Sequence, residues 1–453
     1  MLAVATNNQQ VIVGLGVTGL SCARYLSRMQ QPFSVVDSRV NPPGLETFRK
    51  EFPLVSVSLG DISDADLQSA SRLLVSPGIG LDQPAIARAI DSGIIVCGDI
   101  DLFCEEAKAP IAAITGSNGK TTVTTLVGLM AERCGKSAAV GGNIGVPALD
   151  LLLEPEPDMY VLELSSFQLE RANVLGFEAA TVLNISADHM DRYPDLSTYR
   201  RAKYRIFNHC KKKIINRADP LVAPFCGDGM NVLSFGLDSP DLKGFGLIDV
   251  NGVEYLAYHT EPLMAVGALK MVGRHNIENA LAALALGFAM GLDLSLMSEV
   301  LSEFSGLEHR CQLVGECQQI KYYNDSKGTN VGAAIAAIEG LAAVAKKVIL
   351  IAGGDAKGAD FSPLLPVLKQ FARAIVVIGE ASEQLLELCD DEIIAVRASS
   401  LQQAVEKAAI LAESGDAVLL SPACASFDMF ENYQHRGDVF CAAVSLLVTR
   451  SES

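Results

Sequence analysis

No C-x-x-C pair occurs among the eleven cysteines of this 453-residue chain. An odd number without paired spacing speaks against a disulfide framework and for free thiols in a reducing cytoplasm. A bilayer-spanning run is also missing. The longest apolar stretch, around residues 280–292, falls short of the roughly 20 residues a span needs. The opening Met1-Leu-Ala-Val-Ala-Thr-Asn-Asn has no basic region and no cleavage-site pattern, so no signal peptide is expected. Basic residues are scarce: Lys and Arg number 36 against 53 Asp and Glu, a net charge of −17. That balance argues against nucleic acid and against anionic membrane surfaces. An anionic substrate would need local cationic pockets. These features predict a cytoplasmic protein without membrane insertion, and a monomer is the expected state. Its 49% hydrophobic residues are ample for several cores, and its length suggests about three domains.

The most informative stretch is Ile111-Ala-Ala-Ile-Thr-Gly116-Ser117-Asn118-Gly119-Lys120-Thr121-Thr122. The apolar run 111–114 reads as a buried strand. After the glycine turn, Val123, Leu126, Val127 and Met130 recur at helical spacing. Strand, glycine turn, lysine, hydroxyl and helix suit a polyphosphate. Backbone N–H groups and the helix N-terminus face the anion, Lys120 adds a point charge, and Thr121 can ligate Mg²⁺. The spacing departs from the usual loop, which has a glycine where Ile114 stands.

Upstream, Gly14-x-Gly16-x-x-Gly19 lies between a strand and a helix, and the strand 33–37 ends in Asp37. Read alone, this is half a dinucleotide-binding domain with Asp37 on a ribose. The strand before Ser76-Pro77-Gly78 ends either in the same crevice or in a plain turn. Downstream of the phosphate loop, Gly141-Gly-Asn143-Ile-Gly145 exposes an amide. Glu163 ends an apolar strand, where a lone carboxylate needs a partner or a metal. Asp188-His189-Met-Asp191 follows another strand, either as a structural histidine or as a functional one. The helix around 197–205 carries Arg200, Arg201 and Arg205 beside Lys203. It is either a solvated cationic face or an environment in which three arginines depress the Lys203 pKa. An unperturbed lysine is neutral only about once in 2,500 at pH 7, and a neutral amine can react with CO₂ to give a carbamate. Asn276 and Asn279 share a helix face, to hold a base or to cap the helix. Residues from 307 onward suggest a third α/β unit, with strands near 348–352, 374–378 and 417–420. Their turns carry Asp325, Lys327, Thr329, Lys357 and Ser426. Cys424 has no base in its motif and reads as a small buried thiol.

Taken in order, T-G-S-N-G-K-T-T, G-G-N-I-G, L-E-L-S-S-F-Q-L, N-I-S-x-D-H-M-D-R, Y-x-x-A-K, H-N-x-x-N, N-D-S-K-G-T-N, G-G-D-x-K and S-P-A-C-A-S-F-D-M-F resemble the Mur ligases of peptidoglycan synthesis over essentially the whole chain. The shorter phosphate loop is that family's variant, shared with folylpolyglutamate synthetases. The resemblance implies a three-domain α/β fold. A Rossmann-like UDP-substrate-binding domain would span 1–98. A central phosphate-loop ATPase domain with a mostly parallel sheet would span 99–306. A Rossmann-like amino-acid-binding domain would span 307–453. It implies ATP-driven amide formation through an acyl phosphate, with UDP-N-acetylmuramoyl-L-alanine and D-glutamate as substrates and ATP and Mg²⁺ as cofactors.

Carried over by motif, Val17, Thr18, Asp37, Ser38 and Arg39 would hold the uridine diphosphate, and Gly78, Asn143 and His189 would follow the sugar. Gly116, Ser117, Asn118, Gly119, Lys120, Thr121 and Thr122 would hold ATP, joined by Asn276, Asn279, Arg310, Asp325 and Lys327. Thr121 and Glu163 would ligate one Mg²⁺, and His189 with carbamylated Lys203 a second. Thr329, Lys357, Ser426 and the Phe427 backbone would take glutamate. Lys120, Glu163, His189 and Lys203 would be the catalytic set. Three positions depart from the family pattern: Thr121 replaces a common serine, Gly328 an alanine and Tyr433 a phenylalanine. The alternatives are a sister ligase for another amino acid, a folate polyglutamylase, an NAD-dependent oxidoreductase built on the first glycine motif, and a non-catalytic nucleotide-binding module. The N-terminal unit speaks against the polyglutamylase, and Lys120, Glu163 and His189 together speak against a mere binding module.

Overall fold

A computed structural model describes residues 9–63, 67–68, 70–222, 231–271, 273–342, 344–389 and 392–451. The stretch read for a signal peptide lies outside them.

The first sheet holds β1 (Gln10–Val13), β2 (Phe33–Asp37), β3 (Val57–Leu59), β4 (Arg72–Val75) and β5 (Ile95–Cys97). Its order is β3-β2-β1-β4-β5, and every pairing is parallel. The chain winds outward both ways from β1. The crevice beyond the carboxyl ends of β1 and β4 is therefore a topological switch point, the place where open α/β sheets take ligands. The glycine-rich turn after β1 opens onto it and leads into the helix Val17–Arg28.

The second sheet is the largest. It comprises β6 (Ile111–Thr115), β7 (Ala138–Gly142), β8 (Met159–Glu163), β9 (Ala179–Val182), β10 (Lys212–Asn216), β11 (Val232–Phe235), β12 (Gly244–Val250), β13 (Val253–Tyr258) and β14 (Glu261–Ala265). Their order is β14-β13-β12-β11-β10-β9-β6-β8-β7. Pairings from β7 to β12 are parallel, and β12-β13-β14 form an antiparallel meander. Every residue of β6, β8 and β9 is buried. That burial explains their near-continuous apolar reading, because helices cover both faces of a parallel sheet. On one face, Val123, Leu126, Val127 and Met130 of the helix Lys120–Arg133 pack in one core with the alanine-rich helix Arg274–Ala289. The first and second units share a further core, running from Ile12 through Phe103 and Tyr160 to Phe207.

The third sheet holds β15 (Gln312–Cys317), β16 (Ile320–Asn324), β17 (Val348–Gly353), β18 (Ala372–Ile378), β19 (Ile394–Arg397) and β20 (Ala417–Leu420). Its order is β15-β16-β20-β17-β18-β19, and only β15–β16 is antiparallel. The strands expected near 348–352, 374–378 and 417–420 are β17, β18 and β20. Among the described residues no helix is long and apolar enough to cross a membrane.

Candidate active site

The phosphate loop joins β6 to the helix Lys120–Arg133. Gly119 is the N-cap residue and has a left-handed φ of 83°, and a Cβ there would lie 2.3 Å from Asn279 Oδ1. Only glycine meets both demands. Asn184 braces the loop from the end of β9. Its Oδ1 accepts from Asn118 N at 2.8 Å and its Nδ2 donates to Asn118 O at 3.1 Å. Lys120 folds back, donating to the carbonyls of Gly116 and Ser117, each at 2.9 Å.

Glu163, at the carboxyl end of the neighbouring β8, is buried. Its Oε2 accepts from Thr121 Oγ1 at 2.8 Å and its Oε1 from Asn143 Nδ2 at 2.8 Å. His189 lies opposite in a left-handed conformation (φ 58°), with Nε2 3.8 Å from Asp188 Oδ2 and its ring against Phe167. Burial, followed by the charges of Lys357, Lys120 and Lys203, outweighs Asp188 and lowers the imidazole pKa. Lys203 is fully buried on the helix Leu196–Tyr204, its Nζ donating to Gly116 O at 2.9 Å and Thr115 Oγ1 at 3.3 Å.

The arginine account of Lys203 needs correction. Arg200 reaches Tyr204 Oη, Arg201 reaches Thr198 Oγ1, and Arg205 binds the carbonyls of Leu169 and Ala172. None of them drives the lysine pKa down. Burial does so first and the Lys120 charge second, against the pull of Asp188 and Glu163.

Mg²⁺ takes oxygen donors, keeps several waters and needs only one or two carboxylates besides substrate phosphates. Thr121 and Glu163 meet that need beside the loop. Among the described residues no three His, Cys, Asp or Glu side chains converge as a self-sufficient metal cage. A protonated Lys203 amine has no lone pair for a metal, so its ligand role requires the carbamate.

The third unit supplies the facing wall. Arg310 donates through a guanidinium nitrogen to Thr121 Oγ1. Lys327 Nζ stands 3.9 Å from the ring centroid of Tyr433. The turn after β17 carries Lys357 at a left-handed φ of 49°, and the turn after β20 carries buried Ser426 and exposed Phe427. A backbone pair locks these two turns together: Asp355 N donates to Ala425 O at 3.1 Å, and Ala425 N to Asp355 O at 2.8 Å. Behind them the buried Arg436 donates to the carbonyls of Cys424, Ala425 and Ser326. The Cys424 thiol is buried and pushed up to about 12, in keeping with an inert role.

One cavity of about 450 Å³ gathers residues 117–121 of the loop with Asn143, Glu163, His189 and Lys203, and from the third unit Arg310, Lys327, Thr329, Lys357, Ser426 and Phe427. An adjoining cavity of about 270 Å³ is lined by Thr122, Asn276, Asn279 and Asp325, with Asn118, Gly119, Arg310 and Lys327 shared between the two. The N-cap residue of their helix is Gly273, and Asn279 Nδ2 donates to Asn276 Oδ1 at 3.2 Å. Burial raises the Asp325 carboxyl to about 7, against the pull of Ser421 and Arg310.

Val17, Thr18, Asp37, Ser38, Arg39 and Gly78 line neither cavity and group around the first-sheet crevice. Ser76 Oγ ties the Ser76-Pro77-Gly78 turn to Gly14 O at 2.9 Å, placing it in that crevice. The buried carboxylate of Asp37 accepts from Leu15 N at 2.6 Å and pairs with Arg39 at 2.7 Å. These contacts hold Asp37 against the glycine turn and beside the exposed Arg39. Phe167, Tyr199, Asp188, Asn330 and Tyr433 also line the larger cavity. Each sits within or beside a motif already noted, but aromatic and amide side chains lack a spacing signature of their own.

Three α/β units, a phosphate loop in the middle one and a lysine- and hydroxyl-bearing wall from the last define the class, a nucleotide-binding protein whose third unit closes over its loop. Three family models match in chain order: "Mur ligase MurD-like, N-terminal domain" over 8–98, "Mur ligase middle domain" over 114–287 and "Mur ligase, glutamate ligase domain" over 309–424. The UDP-N-acetylmuramoylalanine--D-glutamate ligase of Pseudomonas aeruginosa is 52% identical over 448 residues, covering 99% of this chain and all of that protein. In fold, the chain is similar to the MurF ligase of Thermotoga maritima in complex with ADP (TM-score 0.62, 16% identity, 96% of this chain and 95% of that one). It is also similar to E. coli FolC in complex with ADP (TM-score 0.57, 19% identity, 82% and 99%). The chain belongs to the Mur ligase family, the ATP-using ligases of peptidoglycan precursor synthesis.

Proposed function

We propose that this chain joins D-glutamate to UDP-N-acetylmuramoyl-L-alanine at the expense of ATP, as a cytoplasmic monomer. The units 1–98, 99–306 and 307–453 take the nucleotide sugar, ATP and the amino acid respectively. One observation carries the reading: the same cavity presents Lys120, Glu163, His189 and Lys203 from the ATP unit and Lys357 and Ser426 from the unit assigned to the amino acid. The choice of substrates rests on the full-length likeness to a D-glutamate ligase.

In this reading the L-alanyl carboxylate attacks the γ-phosphorus of ATP, and ADP leaves. The glutamate amine then attacks the acyl phosphate carbonyl and expels phosphate. Two anions must meet in the first step, so cancelling charge is the main task. Lys120 and the loop N–H groups serve the phosphates, with Asn276, Asn279, Arg310, Asp325 and Lys327 around the nucleotide. Mg²⁺ held by Thr121 and Glu163, with a second ion held by His189 and carbamylated Lys203, would neutralise phosphate charge. Lys357, Thr329 and Ser426 orient the glutamate. Val17, Thr18, Asp37, Ser38 and Arg39 hold the uridine diphosphate, and Gly78, Asn143 and His189 follow the sugar.

The test is phosphate release across a matrix of nucleotide sugars and amino acids. Release is expected only with ATP, Mg²⁺, UDP-N-acetylmuramoyl-L-alanine and D-glutamate together. Release with a different amino acid and not D-glutamate would identify a sister ligase instead.

A further inference from the structure

Besides the contact of Arg310 with Thr121, the helix Val331–Leu341 and the residue before it pack the third unit against the second. That residue, Asn330, is only 6% exposed and does three things at once. Its Oδ1 caps the helix by accepting from Ala333 N at 2.8 Å. It exchanges amide hydrogen bonds with Asn118 of the phosphate loop, Nδ2 donating to Asn118 Oδ1 at 3.1 Å and Oδ1 accepting from Asn118 Nδ2 at 3.3 Å. Its Nδ2 also lies 3.3 Å from Asp188 Oδ2, the carboxylate next to His189. The helix behind it approaches closely because the facing residues are small. A Cβ on Gly332 would meet Ser186 Oγ at 3.0 Å, and one on Gly340 would meet Gly273 Cα at 3.1 Å and His275 Cε1 at 3.2 Å.

Resting on the ligase reading above, we propose that Asn330 is a positioning residue that clasps the third unit onto the phosphate loop. The clasp lets Lys357 and Ser426 reach the reacting centre only when the loop presents Asn118. A buried amide pair demands matched donors and acceptors, and misalignment leaves polar groups unsatisfied. A loop rearranged by its nucleotide therefore changes the stability of the closed arrangement. The Asp188 contact extends the same coupling to His189. Asn330 touches no reacting atom in this account and acts through Asn118 and Asp188.

Two variants separate the clasp from the cap. Asn330→Ser keeps an N-cap oxygen but is too short to span to Asn118. Asn330→Asp keeps length and cap, and sets an oxygen against Asn118 Oδ1 and Asp188. Both should fold, with Asn330→Asp lowering the melting temperature more than Asn330→Ser. Losing these interdomain bonds should lower kcat/KM for D-glutamate by about ten- to hundredfold, more for Asp than for Ser. The KM for ATP should stay within about twofold. Gly332→Val, whose Cβ would lie 3.0 Å from Ser186 Oγ and 3.6 Å from Asn118 Nδ2, crowds the same junction and should give the same split. Small-angle scattering with AMP-PNP alone should show the parent more compact than Asn330→Asp. Unchanged kcat/KM for D-glutamate in both Asn330 variants, or equal losses for ATP and D-glutamate, would overturn the clasp. A parent chain that releases no phosphate with D-glutamate would instead remove the ligase reading, and the scattering comparison would still decide the clasp.

Discussion

Lys120 and Lys203 share one acceptor. Each Nζ donates to the carbonyl oxygen of Gly116 at 2.9 Å, one from the helix that follows the loop and one from the helix Leu196–Tyr204. Two ammonium groups on a single buried carbonyl disfavour each other's charge. Burial lowers both pKa values first. The Lys120 charge then pushes Lys203 down further and Arg310 does the same to Lys120, while Glu163 and Asp188 pull both back up. Both lysines are thus drawn toward the neutral amine, Lys203 on the helix Leu196–Tyr204 the more strongly.

A neutral Lys203 amine adds to CO₂, forming an N–C bond and releasing a proton, and the product is an anionic oxygen donor near His189. Lys203→Ala should be nearly inactive, and acetate or formate should partly restore turnover by standing in for the lost oxygens. Phosphate release measured against acid concentration checks this. A folded variant that no short acid rescues, in a protein whose activity ignores CO₂, would leave Lys203 as an ordinary buried cation.

Glu163→Gln keeps the size of a side chain held between Thr121 and Asn143 and removes its charge. Losing one preorganised electrostatic group in such a site typically lowers kcat by about 10²–10³-fold. The fold should survive. The Mg²⁺ concentration giving half-maximal phosphate release should rise. A variant with parental turnover and parental Mg²⁺ dependence would remove Glu163 from the ligand set.

Lys357 sits on a turn laced to the one that carries Ser426, so the two should act on the same substrate. A carboxylate entering a partly dry pocket needs a cation or strong donors. Lys357→Ala should raise the KM for D-glutamate by about tenfold or more, and leave that for the nucleotide sugar within about twofold. Initial-rate kinetics with each substrate varied in turn decides it, and equal effects on both would count against the assignment.

Local chemistry made much of this legible. Glycine turns after apolar strands marked the crevices, because a parallel sheet buries its strands and presents its ligands at their carboxyl ends. The meander of β12, β13 and β14 carried no such mark, since its half-exposed strands alternate weakly and end in no functional turn. Charge partners were the least readable feature. Arg200, Arg201 and Arg205 surround Lys203 in sequence, yet their side chains are taken up by Tyr204, Thr198 and the carbonyls of Leu169 and Ala172. The residues that do govern Lys203, Lys120 and Asp188 among them, come from other elements. Asn330 was visible inside its motif, but its reach to Asn118 depends on how two units pack.

Lys327 offers a test by pH. Its ammonium lies over the Tyr433 ring, and burial, helped by the charges of Arg310 and Lys120, lowers its pKa to about 8. It is therefore a cation below about pH 8 and neutral above. If the cation serves ATP, log kcat/KM for ATP should be flat on the acid side and fall with a slope of −1 above that value, because this parameter reports the free enzyme. Stability should move the other way. Between about 8 and the ordinary lysine value of 10.5, the unfolded chain holds a proton that the folded chain has released. Stability from this group therefore rises with pH through that window. Lys327→Arg should remove the alkaline limb, since a guanidinium stays charged. Lys327→Met should lose ATP turnover at every pH while gaining stability at pH 7, having no charge to bury. An alkaline limb that persists unchanged in Lys327→Arg would assign the titration to another group.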